Sequence, residues 1–159
     1  IGKERIRRAG KKILQENSLT ENDLDIGFRV LKLDTTNMKD VYYAPAQYQR
    51  SLLDNLENNI KEDRSPEDLL FQVLLDLGVE LSGSIASESI GGKTVFNVEN
   101  NYCTACFDTD LTDAVITEIA KKQPVYAVFR DMSFNSDSVG ANVEQIFKTY
   151  SPNTKITVL

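Results

Sequence analysis

The chain has 159 residues, 41% of them hydrophobic and 26% charged, the balance of a globular domain large enough to bury a continuous core. Its net charge of −6 is the wrong sign for a domain that grips nucleic acid strongly by itself. It has no histidine, which excludes a Ser-His-Asp triad, a Cys-His dyad, an imidazole base and a His-ligated zinc site.

The opening, "IGKERIRRAGKKI", is a local exception to the acidic balance. Ile6, Ala9 and Ile13 recur at helical spacing, and Arg or Lys supplies six of the ten residues from Lys3 to Lys12. Arg5, Arg7, Arg8, Lys11 and Lys12 are candidate contacts to a DNA backbone or to a neighbouring domain. Neither an apolar core nor a cleavage site follows, so the run reads as mature sequence rather than a targeting peptide. With no initiator Met, the chain is expected to be part of a longer protein.

"SLTENDLD" reads as a polar loop. "GFRVLKLDTT" sets Phe28, Val30 and Leu31/Leu33 against Arg29 and Lys32 and predicts a half-buried strand. A loop carrying Tyr42 and Tyr43 follows, then a helix from about Pro45 with a stripe of Leu52, Leu53, Leu56 and Ile60. The next helix is well marked: Ser65 suits the N-cap, Pro66 the first turn, Glu67 and Asp68 the positive end, and Gly78 the stop.

From "SGSIASES" onward the period switches repeatedly. Gly91-Gly92 between two alternating runs predicts a hairpin. "NYCTACFD", a helix over Thr112–Lys122, "VYAVFRD", a helix through Val143, Ile146, Phe147 and Tyr150, and "KITVL" then alternate strand and helix. The expected fold class is α/β, with α+β character in the first half: a mixed sheet in which a β-hairpin precedes a parallel βαβαβ unit, helices packed on the sheet. No apolar run approaches the roughly 20 residues of a membrane helix.

Three patterns invite chemistry. Cys103-Thr104-Ala105-Cys106 has redox or half-zinc spacing, yet it falls in a strand, where residues three apart face opposite ways, so the thiols read as core. Gly91-Gly92-Lys93-Thr94 resembles the end of a phosphate loop, but Ser87 stands where the first glycine belongs and a strand follows, so it reads as a turn. Asp108, Asp110 and Asp131 follow parallel strands, where α/β sheets bind ligands. Their alternative readings are a Mg²⁺-dependent phosphoryl-transfer or nuclease site and, favoured here, capping and loop shaping.

Taken together, "IGKERIRRAGKKI", "DIGFRVLKLDTTN", "DRSPEDLLFQVLLDLGVEL", "ACFD" and "VFRDMSFNSDSVGANVEQIFK" resemble, in the same order, the C-terminal region of the modification subunit of type III restriction-modification systems. The resemblance implies that residues 1–20 are the exit helix of an upstream methyltransferase domain and that 21–159 form one C-terminal domain. The complete subunit would be a site-specific DNA adenine-N6 methyltransferase using S-adenosylmethionine. Its Asp-Pro-Pro-Tyr and Phe-x-Gly-x-Gly motifs are absent from this chain, so no catalytic, cofactor-binding or metal-binding residue carries over, and no cofactor is expected here. The resemblance also implies a homodimer of modification subunits, an ATP-dependent restriction (helicase/nuclease) subunit as partner, DNA contact through the full-length protein, and a cytoplasmic location. The two cysteines, too few for a disulfide scaffold, suit that compartment.

Overall fold

The computed structural model describes residues 1–16, 25–39, 59–134 and 137–159. The chain divides into two compact units, Ile1–Asp34 and Thr35–Leu159.

The first unit holds α1 (Gly2–Glu16). None of its helical residues is buried, and Ile6, Ile13 and Leu14 are exposed. Gly10 lets the helix lie close to Ile26: a Cβ there would stand 3.1 Å from the Ile26 Cβ. The Arg7 guanidinium lies over the Phe28 ring, 6.0 Å from its centroid.

The strand expected over "GFRVLKLDTT" is not formed. Residues 25–34 have no regular structure, and Val30, Leu31 and Leu33 are exposed. Two causes are visible. Val30-Leu31 interrupts the alternation that would give the strand one apolar face, and among the described residues no strand pairs with it. The helix expected from about Pro45, and the Tyr42-Tyr43 loop, lie outside the described residues except for Ile60. That residue is buried in an antiparallel bridge with Met38.

In the second unit, α2 (Pro66–Asp76) begins and ends as its sequence demands. The Asp68 N–H donates to Ser65 Oγ at 3.3 Å, and the Ser65 N–H donates to Asp68 Oδ2 at 2.8 Å, a reciprocal capping box. The Ser65 N–H, and the Ser65 hydroxyl at 2.9 Å, both donate to the Asp68 carboxylate and hold it below the usual carboxylate range. At the other end Gly78 adopts φ +67°, donating to the Leu75 carbonyl at 3.1 Å, while Val79 donates to the Leu74 carbonyl at 2.8 Å. That pair of bonds is a Schellman stop, with Val79 packed into the core beside the helix it ends.

Among the described residues the sheet is five-stranded, in the order β1-β2-β3-β4-β5. Its strands are β1 (Ile85–Ile90), β2 (Lys93–Val98), β3 (Cys103–Cys106), β4 (Tyr126–Phe129) and β5 (Lys155–Val158). The first three run antiparallel in succession; β3, β4 and β5 are parallel, joined through α3 (Asp113–Lys121) and α4 (Asp137–Tyr150). This is the mixed α/β sheet expected, hairpin first and βαβαβ after.

Alternation along the strands sorts the core into two layers. Phe96, Val98, Cys103, Ala105 and Val128 pack with Leu69, Leu70, Val73 and Leu74 of α2. Val95, Cys106, Ala127 and Phe129 pack with Val115, Ile116 and Ile119 of α3 and Val143 and Phe147 of α4. Both crossover helices therefore cover one face, as successive crossovers of one hand require, and α2 covers the other.

The hairpin turn shows why two glycines stand there. Gly91 and Gly92 have φ +58° and +79°, as a two-residue turn between right-twisted strands needs. A Cβ on Gly91 would also stand 2.7 Å from Val115 Cγ2, whereas one on Gly92 meets nothing within 4 Å. Gly92→Ala should therefore cost about 1 kcal/mol from backbone strain alone. Gly91→Ala should cost roughly twice that, because the turn must also move off α3. Equal losses in urea unfolding would contradict this reading of the turn.

Candidate functional site

The carboxyl ends of β3 and β4 are where a parallel sheet offers a ligand site. Of the sequence-derived carboxylates, that of Asp108 holds the chain, and that of Asp110 meets its neighbour Thr109. Asp108 Oδ2 accepts the Thr94 N–H at 2.6 Å, tying the loop after β3 to the start of β2. Asp110 adopts φ +56° and accepts the Thr109 hydroxyl at 3.2 Å. Thr112, not Asp110, caps α3, accepting the Val115 N–H at 3.5 Å. Asp131 opens a 3₁₀ turn, Asp131–Ser133, and its N–H donates to the Leu159 carbonyl at 3.0 Å. Among the described residues no group of three His, Cys, Asp or Glu side chains is gathered closely enough to hold a metal ion.

Cys103 and Cys106 lie in different core layers, as strand geometry predicted, and neither is exposed. Burial pushes each thiol up to about 11, the reverse of what a nucleophilic or redox cysteine needs. Lys93, the lysine of the Gly-Gly-Lys-Thr stretch, donates to the Thr109 carbonyl at 2.7 Å, so this element is a turn braced against the next loop.

The five cations of α1 are exposed and fall in two rows, Arg5-Arg8-Lys12 beside the Ile6/Ala9/Ile13 stripe and Arg7-Lys11 on the far side of the helix from it. Arg8 pairs with Glu4 at 2.9 Å and Lys12 with Glu16 at 3.7 Å, both along the helix. Such exposed pairs contribute little to stability.

Two concavities were not foreseen. One, of about 190 Å³, sits beyond the ends of β3 and β4 and brings Lys61, Arg64 and Arg130 around Phe107 and Leu69. Arg64 is bonded to Asp63 at 3.2 Å and to Thr35 Oγ1 at 3.0 Å, and Lys61 shares that hydroxyl at 3.0 Å. The other is an open groove of about 530 Å³ between α4 and β5, floored by Phe134, Val143, Phe147 and Ile156. Its strand signal was present, since "KITVL" places Ile156 and Val158 on one face. What the sequence did not disclose is that this strand would end the order of described strands.

No protein-family model matches the chain, and no curated protein matches it. Among the described residues no helix is long and apolar enough to cross a membrane.

Proposed function

We infer that this chain is a non-catalytic assembly domain of a type III restriction-modification methyltransferase subunit. The parent would transfer methyl groups from S-adenosylmethionine to adenine in DNA, act in the cytoplasm, and pair with itself and with an ATP-dependent restriction subunit. The observation that carries the reading is the run of five resembling segments in matching order, from Ile1 nearly to Leu159, without either methylation motif.

Two features of the fold support an assembly role. The Asp108 carboxylate and both thiols that sequence patterns single out are used internally, for loop bracing and core packing. Part of the exposed apolar surface lies in places suited to contact, the α1 stripe and the groove beside β5. The cations of α1 lie near DNA in the complete subunit or against its methyltransferase body, and in isolation would give only weak, salt-sensitive DNA binding.

The test is calorimetric titration of residues 1–159 with S-adenosylmethionine. No saturable binding is expected, because the chain has no cofactor motif. Tight stoichiometric binding would overturn the assignment.

A further inference from the structure

We propose that the concavity beyond the ends of β3 and β4 binds a small phosphate monoester, its phosphate seated among Lys61, Arg64 and Arg130 and its carbon body against Phe107 and Leu69. The proposal goes beyond the assembly reading and does not depend on it.

The fold gathers these groups from separate places. Phe107 follows directly on β3 and Arg130 directly on β4, so both leave the sheet at the carboxyl ends of neighbouring parallel strands. That end of a parallel sheet is where ligands are bound. Lys61 and Arg64 come from the turn before α2, closed by the Arg64 N–H donating to the Lys61 carbonyl at 3.2 Å. Pro66 and Leu69 line the hollow from α2 itself. The first turn of that helix is already capped by Ser65 and Asp68, so the positive potential comes from side chains.

Two of the cations are held side by side. Lys61 Nζ and Arg64 Nη2 both donate to Thr35 Oγ1 at 3.0 Å, which keeps two positive charges within about 6 Å of each other. The Arg64 side chain is 11% exposed and that of Asp63, its ion-pair partner, 72%. The guanidinium therefore stands in the wall while the carboxylate faces water, where its field is screened. Arg130 adds a third positive charge, and Glu62 contributes a carboxylate to the lining. The hollow is thus net positive in a chain whose net charge is −6. Like charges gathered in a partly desolvated hollow repel one another, and an anion placed among them turns that repulsion into attraction.

Size and lining select the ligand. The volume of about 190 Å³ equals roughly six water molecules at a liquid share of ~30 Å³ each. It takes a phosphate group on a short stem and is well below the roughly 300–1,000 Å³ of pockets for drug-sized molecules. A phosphate monoester brings close to two negative charges and three acceptor oxygens, enough for two guanidinium groups and an ammonium at once. A carboxylate brings one charge and two oxygens. Ile60, Leu69 and Phe107, otherwise buried in the core, form an apolar wall for the carbon body.

The experiment is an NMR shift titration of residues 1–159 with phenyl phosphate, repeated with inorganic phosphate, benzoate and a 5′-phosphorylated DNA duplex. Phenyl phosphate should bind saturably, with a Kd of about 1 mM or tighter, and shift the amides of Phe107 and Arg130. Inorganic phosphate, which leaves the apolar wall bare, should bind at least about threefold more weakly, and benzoate at least about tenfold. Lys61→Gln and Arg130→Gln should each weaken phenyl phosphate by at least about fivefold. Lys148→Gln, which removes a surface charge of α4 outside the site, should leave it unchanged. Circular dichroism checks each variant, and Lys61→Gln, in a turn whose next two residues are exposed, carries the test should Arg130→Gln fail to fold. No saturable binding of phenyl phosphate up to about 10 mM, or binding indifferent to Lys61→Gln, would overturn the site. Benzoate as tight as phenyl phosphate would overturn the phosphate assignment, and inorganic phosphate as tight would overturn the ester. A duplex that binds more tightly through the same residues would overturn the small ligand.

Discussion

Phe129→Ala should destabilise the second unit by about 3–5 kcal/mol, among the largest effects open to a single substitution in this chain. Phe129 ends β4, the strand flanked by β3 and β5, and none of it is exposed. Its ring meets Phe134 at 5.7 Å and Phe147 at 6.0 Å, the latter edge-on at 70°. Truncation would remove the centre of the layer between the sheet and the crossover helices, and rings from a 3₁₀ turn and from α4 cannot both collapse into the space. The expected readout is a melting temperature lowered by roughly 10–20 °C. The matched control is Leu33→Ala, since Leu33 is fully exposed, with a change within about 0.5 kcal/mol. A loss below about 1 kcal/mol at Phe129 would mean that this layer is not packed as described.

Stability should also fall steeply between pH 9 and 11, and the two buried thiols should account for a large part of it. In the unfolded chain a thiol releases its proton near 9.0, whereas burial holds Cys103 and Cys106 protonated up to about 11. The folded state therefore binds more protons than the unfolded state across that window. The contribution is fully present below pH 9 and is lost as pH rises toward 11. A shift of about two units corresponds to roughly 2–3 kcal/mol for each thiol. Urea unfolding at pH 8, 9, 10 and 11 measures it. Cys103→Ala/Cys106→Ala should start less stable at pH 8, through lost packing, and then decline more gently than the wild type. Parallel curves for the two proteins would show that the thiols ionise freely in the folded state.

Much of the second unit was legible because local signals and global packing agree there. Ser65, Pro66 and Gly78 delimit α2 at the residues where its bonds begin and end, and Gly91-Gly92 turns the hairpin. The opposite facing of Cys103 and Cys106 followed from strand geometry alone. "GFRVLKLDTT" failed for the complementary reason. Its composition suits a strand, but a strand exists only where another lends it hydrogen bonds, and pairing is not written in one segment.

The candidate sites were less legible. Asp108 looks available in sequence, and only the fold shows it accepting the Thr94 N–H. The gathering of Lys61, Arg64 and Arg130 joins residues up to 69 positions apart in the sequence, at the ends of separate elements, and no local pattern marks it. The place of β5 at the end of the order of described strands likewise depends on the fold, although the face that Ile156 and Val158 share was readable.

The central claim, that these residues assemble the enzyme and perform none of its chemistry, is tested most directly by methyl transfer. Residues 1–159 would be incubated with radiolabelled S-adenosylmethionine and adenine-containing duplex DNA, and label in the DNA counted. The account predicts incorporation no greater than in a protein-free control. Sustained transfer to adenine by this chain alone would contradict it.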